Sequence, residues 1–304
     1  MAEKKRVGLI GAGMMGHGIG KNILAKGHSL IVLAHKNRTP IESLLKQGAT
    51  EGKTAREIAE KSDVVFLCVT GSPQVEDVVY RKDGLLEGVH QGLIVADCST
   101  AEPSSTLKVA ADIAKQGGRF VDTPLTRTPN EAEAGKLGLM TGGDDATLAE
   151  LRPILDCFAE AIIHAGPVSA GHRLKLINNF IALGTAAVVS EAVTAAAKAN
   201  VSLKALLDIV GAGGANSVMF QRLMKVPLEN DDTALKFMIA TASKDLRYYT
   251  NMTEQISATS FIAESVHQTF VLAENQGYAQ RFVPRMIDFL AGMNGIDVRQ
   301  KKSS

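Results

Sequence analysis

Up to about residue 164 the chain alternates short apolar runs with helical patterns, and beyond residue 165 the short runs cease. That break leaves few folds open. Strands separated by helices pair in parallel and need cover on both faces, whereas a purely helical remainder must build a core of its own. Arg6–Ile10, Ser29–Leu33, Asp63–Val69, Leu93–Ala96, Arg119–Val121, Leu137–Thr141 and Ala161–His164 read as strands. Met14–Lys26, Ile41–Gln47, Ala55–Lys61, Gln74–Tyr80, Pro103–Lys115 and Ala146–Phe158 read as the helices between them. Val64-Val65-Phe66-Leu67 is apolar without alternation, as in a strand covered on both sides. Thr54-x-x-Glu57 and Ser99-x-x-Glu102 have capping-box spacing and are expected to open helices. Ser169–Lys198 reads as a single Ala-rich helix, about three times an ordinary length. Helical patterns follow at 202–210, 215–224, 235–252, 255–276 and 283–292, with the Phe261–Phe270 stripe expected in the core. The expected domains are 1–164 (α/β, a doubly wound, mostly parallel sheet), 165–295 (all helical) and a frayed polar tail over 296–304.

Composition removes several classes of function. The chain carries 33 basic and 32 acidic residues, so no broad cationic surface awaits nucleic acid or an acidic membrane. With no Trp and 4 Tyr it lacks stacking platforms for bases. Cys68, Cys98 and Cys157 have no CxxC spacing, and the histidines form no paired metal-ligand motif, so no metal is expected. The basic start before Val7-Gly8-Leu9-Ile10 is followed by too short an apolar run for an export signal. No stretch reaches about 18 uncharged apolar residues. A soluble protein of the cytoplasm is expected.

Gly11-Ala12-Gly13-Met14-Met15-Gly16 follows the first strand directly and opens the first helix. In that setting GxGxxG indicates a Rossmann-type dinucleotide site. Gly11 permits the turn, Gly13 lets pyrophosphate approach, Gly16 lets helix and strand pack, and the helix N-terminus offers free N–H groups. The second strand ends in Leu33-Ala34-His35-Lys36-Asn37-Arg38, with no acid for ribose hydroxyls before Glu42. His35, Lys36 and Arg38 suit a 2′-phosphate, which favours NADP over NAD. Near the start of the long helix Lys175 and Asn179 stand at i, i+4 on one face. A lysine beside a fixed amide can serve as proton donor to a reacting carbonyl. His172 shares that face but is expected to be structural.

These motifs together resemble the β-hydroxyacid dehydrogenase family, the group of 3-hydroxyisobutyrate dehydrogenase and tartronate semialdehyde reductase. The resemblance runs from residue 6 to about 292. Besides the glycine motif it rests on Asp97-Cys98-Ser99-Thr100, Asp122-Thr123-Pro124, the 134–143 segment, Gly171 to Asn179, and Lys244-Asp245-Leu246. It implies Lys175 as the catalytic lysine and Asn179 as the substrate-orienting amide, with Asn178 beside it. It implies Val69, Thr70, Thr100 and Lys244 at the cofactor, and a helical domain that packs against a second copy in a homodimer or homotetramer.

The chain departs from the family where most members carry Ser-Gly-Gly after the Asp-x-Pro element. Thr126-Arg127-Thr128 stands there, and Arg173 lies just before the lysine. Both features are similar to 3-sulfolactaldehyde reductase. A bidentate guanidinium at Arg127 would recognise the carboxylate or sulfonate end of a small anionic substrate, the alternative for that residue being a surface ion pair. Desolvation would lower the Lys175 pKa from about 10.4. The expected activity interconverts a short 3-hydroxy acid and its semialdehyde with NADP(H). The alternatives are an NAD(H)-dependent sulfolactaldehyde, succinic or tartronate semialdehyde reductase, and a non-catalytic nucleotide-binding module. Imine reductases share the architecture but usually lack this lysine.

Overall fold

The computed structural model describes residues 4–299. Two compact units divide the chain, one running to Lys175 and the other from Leu176 onward. In the first, the order is β1 (Arg6–Ile10), α1 (Gly16–Ala25), β2 (Ser29–Leu33), α2 (Thr39–Lys46), β3 (Thr50–Gly52), α3 (Ala55–Glu60), β4 (Val64–Leu67) and α4 (Ser72–Tyr80). It continues through β5 (Ile94–Asp97), α5 (Pro103–Lys115), β6 (Arg119–Asp122), β7 (Leu125–Thr126), α6 (Pro129–Glu133), β8 (Leu137–Gly142), α7 (Asp145–Leu155) and β9 (Ala159–Gly166).

The strand order is β3-β2-β1-β4-β5-β6-β8-β7, with β9 paired to β8. From β3 to β6 every pairing is parallel, and the sheet turns antiparallel only where β8 meets β6 and β7. β4 shows why such strands lack alternation. Phe66 enters the core beneath Ile19, Ile23 and Phe158, while Val65 and Leu67 enter the opposite core with Ile58, Val79 and Val109. Both faces are dry, so each position is apolar.

The second unit contains the rest of α8 (Ala170–Lys198), then α9 (Leu203–Gly211), α10 (Val218–Glu229), α11 (Ile239–Gln255), α12 (Phe261–Ala273) and α13 (Met286–Met293). Its core joins Leu183 and Val193 of α8 with Phe220, Leu223, Ile239, Leu246, Phe270 and Met286.

The compact units divide at 175/176, past the expected domain boundary at 164/165, since the first turns of α8 group with the α/β unit. Three expectations need correction. Ser99 does not cap α5; Glu102 precedes its first residue, Pro103, and the Ser99 hydroxyl accepts from the Val69 amide at 3.0 Å. Phe261 and Ile262 are exposed, although Val266 and Phe270 on the same helix are buried. Within the expected frayed tail, Val298 is buried in the helical core, and residues 300–304 lie outside the described residues. β3, β7 and α6 were not anticipated from the sequence, since each has too few residues to establish a period.

Phe66 and Phe158 meet edge to face with centroids 5.5 Å apart. Phe66→Ala should therefore cost about 3–5 kcal/mol, read as a lower urea midpoint with the denaturant slope unchanged.

Candidate active site

The turn after β1 is shaped by the closeness of β4. Gly11 has φ +103°, and a Cβ there would lie 2.2 Å from the Cys68 carbonyl oxygen, so only glycine fits. Gly13 and Met14 are exposed and Met15 is half-buried. α1 then starts at Gly16 with no side chain capping its N-terminus. Uncapped N–H groups above an open glycine turn are what a pyrophosphate requires, so these residues fit a dinucleotide. Of the other expected cofactor residues in this unit, Val69 and Thr100 are half-buried and Thr70 is exposed. Val69 and Thr100 meet through Ser99, whose hydroxyl holds the Val69 amide.

At the end of β2, His35 and Lys36 are exposed. Arg38 is not available in the way the sequence suggests. Its two terminal nitrogens donate to Glu51 at 3.1 and 2.9 Å, and Glu42 stands 3.8 Å away. The hydrogen bonds and charge of Arg38 hold the Glu51 carboxyl below its ordinary range. An acid does stand near this loop, but it comes from β3, where Glu51 lies opposite Val32. A search along β2 alone misses it; the β2–β3 pairing was the signal that would have found it.

The lysine-bearing turn is anchored by a distant carboxylate. Asp122 at the end of β6 accepts from the backbone amides of Ser169 at 2.6 Å and His172 at 2.7 Å, satisfying donors at the start of α8. Gly171 permits this approach, since a Cβ would lie 2.4 Å from the Met140 carbonyl oxygen. Burial pushes the Asp122 carboxyl up from its ordinary range, against the pull of His172 and the backbone amides. A few residues on, the Leu125 carbonyl accepts from Lys175 Nζ at 2.7 Å. One short segment, Asp122 to Leu125, thus fixes both the helix start and the amine. His172 is fully buried, with Nδ1 at 2.7 Å from Thr106 Oγ1 and Nε2 at 3.1 Å from the Ser99 carbonyl oxygen.

One turn further along α8, in the second unit, Asn179 is buried and its Nδ2 donates to Asp245 Oδ2 at 2.7 Å. A carboxylate only accepts, so this bond fixes which end of the amide is nitrogen and makes Oδ1 the acceptor. Asn178 is exposed, its Nδ2 3.4 Å from Asn179 Oδ1. Lys244 lies 3.0 Å from Asp245 Oδ1 and 5.0 Å from the centre of the Tyr248 ring. Nothing in Lys244-Asp245-Leu246 as a sequence marks Asp245 as the partner of Asn179, which lies 66 residues away.

The residues expected to receive the substrate's anionic end are engaged unequally. Arg127, at φ +77°, donates to Glu160 at 2.6 Å and also to the Lys136 carbonyl, so the surface ion pair is the arrangement observed. To meet a substrate anion its guanidinium must exchange Glu160, an exposed partner and therefore a weak competitor. Thr128 caps α6 in a capping box with Glu131, and Thr126 is half-buried on β7. Arg173 is exposed, and no carboxylate pairs with it among the described residues.

Known proteins match this arrangement along nearly the whole chain. Residues 6–166 match the NAD-binding domain of 6-phosphogluconate dehydrogenase, and residues 169–290 match the NAD-binding region of NADP-dependent 3-hydroxyisobutyrate dehydrogenase. The 2-(hydroxymethyl)glutarate dehydrogenase of Eubacterium barkeri is 28% identical over 246 residues, covering 81% of each chain. The 3-sulfolactaldehyde reductase of Escherichia coli K12 is 27% identical over 271 residues, 89% of this chain and 91% of that one. The Mycobacterium tuberculosis 3-hydroxyisobutyrate dehydrogenase, solved with L-serine, superposes with a TM-score of 0.85 at 22% identity, covering 95% of this chain and 99% of the other. At that identity it establishes the fold.

Cys68 stands under the glycine turn, and burial, with Asp97 adding to it, pushes its thiol up to about 12. Burial pushes Cys98 and Cys157 up as well. Thiolate is the reactive form, so at pH 8 the native protein should react slowly with a thiol reagent and release its full colour only on unfolding. Rapid labelling of native Cys68 would contradict the buried environment described.

Proposed function

The chain belongs to the NAD(P)-dependent β-hydroxyacid dehydrogenase family, and from that premise we propose that it interconverts a short 3-hydroxy acid and its semialdehyde with NADP(H). The observation that carries this reading is Lys175, half-buried with its Nζ 2.7 Å from the Leu125 carbonyl oxygen. The carbonyl accepts one of the amine's hydrogen bonds and so orients it. In reduction Lys175 donates a proton to the developing alkoxide; in oxidation it takes the hydroxyl proton. Asn179, its amide direction set by Asp245, orients the substrate hydroxyl or the lysine amine. The nicotinamide, when bound, supplies or accepts the hydride. Gly11, Gly13 and the start of α1 would receive its pyrophosphate, with Val69, Thr70 and Thr100 at neighbouring strand ends also placed to line it.

For the cofactor, the absence of an acid on β2 and the exposed His35 and Lys36 support NADP, with Arg38 leaving Glu51 to join them. For the substrate's acid end we propose Arg127 and Arg173. A sulfonate is the second reading, supported by the Thr126-Arg127-Thr128 and Arg173 pattern.

α8 is long and apolar enough to cross a membrane by length and composition, with a mean hydropathy of 1.7 in its most apolar window. One such helix is weak evidence for a span. Ile177, Ile181 and Val188 share one exposed face of α8, and we propose that a second copy of the chain covers it, in a cytosolic homo-oligomer.

Lys175→Met should lower kcat by about 10²–10⁴-fold while NADPH still binds, measured by quenching of its fluorescence. Turnover at the parent rate would remove the lysine from the mechanism. kcat/KM should be higher with NADPH than with NADH across a panel of carboxylate and sulfonate semialdehydes, and Arg127→Ala should raise KM for the acid far more than for NADPH. Light scattering of the purified chain should give a multiple of its mass, and Ile181→Glu should shift it towards the monomer. A monomeric parent, or detergent-dependent solubility, would contradict the oligomer.

A further inference from the structure

His172 is fully enclosed, and the reaction scheme gives it nothing to do. Its surroundings are nonetheless specific. The Ser99 carbonyl can only accept, so Nε2, 3.1 Å away, carries a hydrogen. Nδ1 then pairs with the Thr106 hydroxyl at 2.7 Å, and Thr106 also reaches the Glu102 carbonyl at 3.1 Å. The backbone amide of His172 is held by Asp122. Carboxylates face the ring from two strands: Asp97 Oδ2 at 3.8 Å from Nε2 and Asp122 Oδ2 at 3.9 Å from Nδ1. Asp97 Oδ1 accepts from the Ser99 amide at 2.9 Å, while its Oδ2 has no hydrogen-bond partner among the described residues.

Ser99 is therefore a junction. Its hydroxyl holds Val69, in the stretch assigned to the cofactor, and its carbonyl holds His172, one helical turn before Lys175. The bonds run without a gap from the Val69 amide through Ser99 to the imidazole, and α8 carries the constraint to the lysine. We propose that His172 is a positioning residue that ties the lysine-bearing turn of α8 to the cofactor-lining loops through Ser99, so that dinucleotide binding at Val69 and Thr70 steadies Lys175. The proposal rests on the reading of Lys175 as the proton donor and of that loop as cofactor-lining. A displacement of about 1 Å at a reacting group can cost about 10²-fold in rate. A link at this position therefore affects kcat more than binding.

The test compares His172→Leu, which removes both ring hydrogen bonds, with His172→Gln, whose amide can donate to Ser99 and accept from Thr106. His172→Leu should lower kcat per folded enzyme by about 10²-fold, with KM for the substrate and Kd for NADPH changed by less than about threefold, and His172→Gln should recover most of the loss. Amide hydrogen exchange supplies a readout apart from turnover. NADPH should slow exchange across residues 172–176 in the parent but not in His172→Leu. Ser99→Ala, which cuts only the Val69 bond, should lose the same protection and serves if His172→Leu does not fold. Unchanged kcat in His172→Leu, equal impairment of the two variants, or full NADPH-induced protection in Ser99→Ala would each overturn the link. Persistent turnover in Lys175→Met would instead overturn the underlying reading of the site, and leaves the exchange result to judge the link by itself.

Discussion

A carboxylate beneath the start of a helix organises this molecule. Asp122 receives the Ser169 and His172 amides, and that is what seats the first turns of the 29-residue α8 on the α/β unit. The helix could have begun after a free linker, with the units divided at the last strand. Instead its beginning is tied to the end of an interior strand, and the lysine inherits its place from β6. Removing this carboxylate leaves two buried donors without a partner, each costing about 1–3 kcal/mol. The same segment then presents the Leu125 carbonyl to the amine, so helix capping and lysine orientation share one stretch of backbone.

The polar residues of the proposed site recur in pairs, each side chain proposed to react or bind being held by a carboxylate. Asp245 sets the direction of Asn179, Glu51 occupies Arg38, Glu160 occupies Arg127 and Glu131 occupies Thr128. These pairs differ in consequence. The Asn179 bond is buried and decides which atom faces outward. The Arg38 and Arg127 pairs are exposed, so a phosphate or a substrate anion can displace the glutamate at little expense. Orientation is permanent where the bond is dry and exchangeable where it is wet.

Much of this was legible in the sequence. The βα alternation, the glycine turn and the uninterrupted helix from Ser169 depend on local periodicity and local backbone geometry, and these the order of residues states directly. What escaped depended on pairings between distant residues. Nothing near Arg38 announces Glu51, which reaches it only because β3 lies beside β2. Nothing near Ser169 announces Asp122 as its cap. Ser99 had the spacing of a capping box, yet Asp97 and Val69 claimed it first. Phe261 and Ile262 read as core because apolar periodicity reports that a face seeks cover, without saying whether the chain itself provides it.

In the proposed reaction the amine of Lys175, held by the Leu125 carbonyl, moves the proton. The most direct test is chemical rescue of Lys175→Ala by a series of small primary amines in the reductive direction. Amines should restore turnover at saturating NADPH, with a rate that follows each amine's acidity once size is allowed for. Cofactor binding that stays intact while no amine restores turnover would contradict this role.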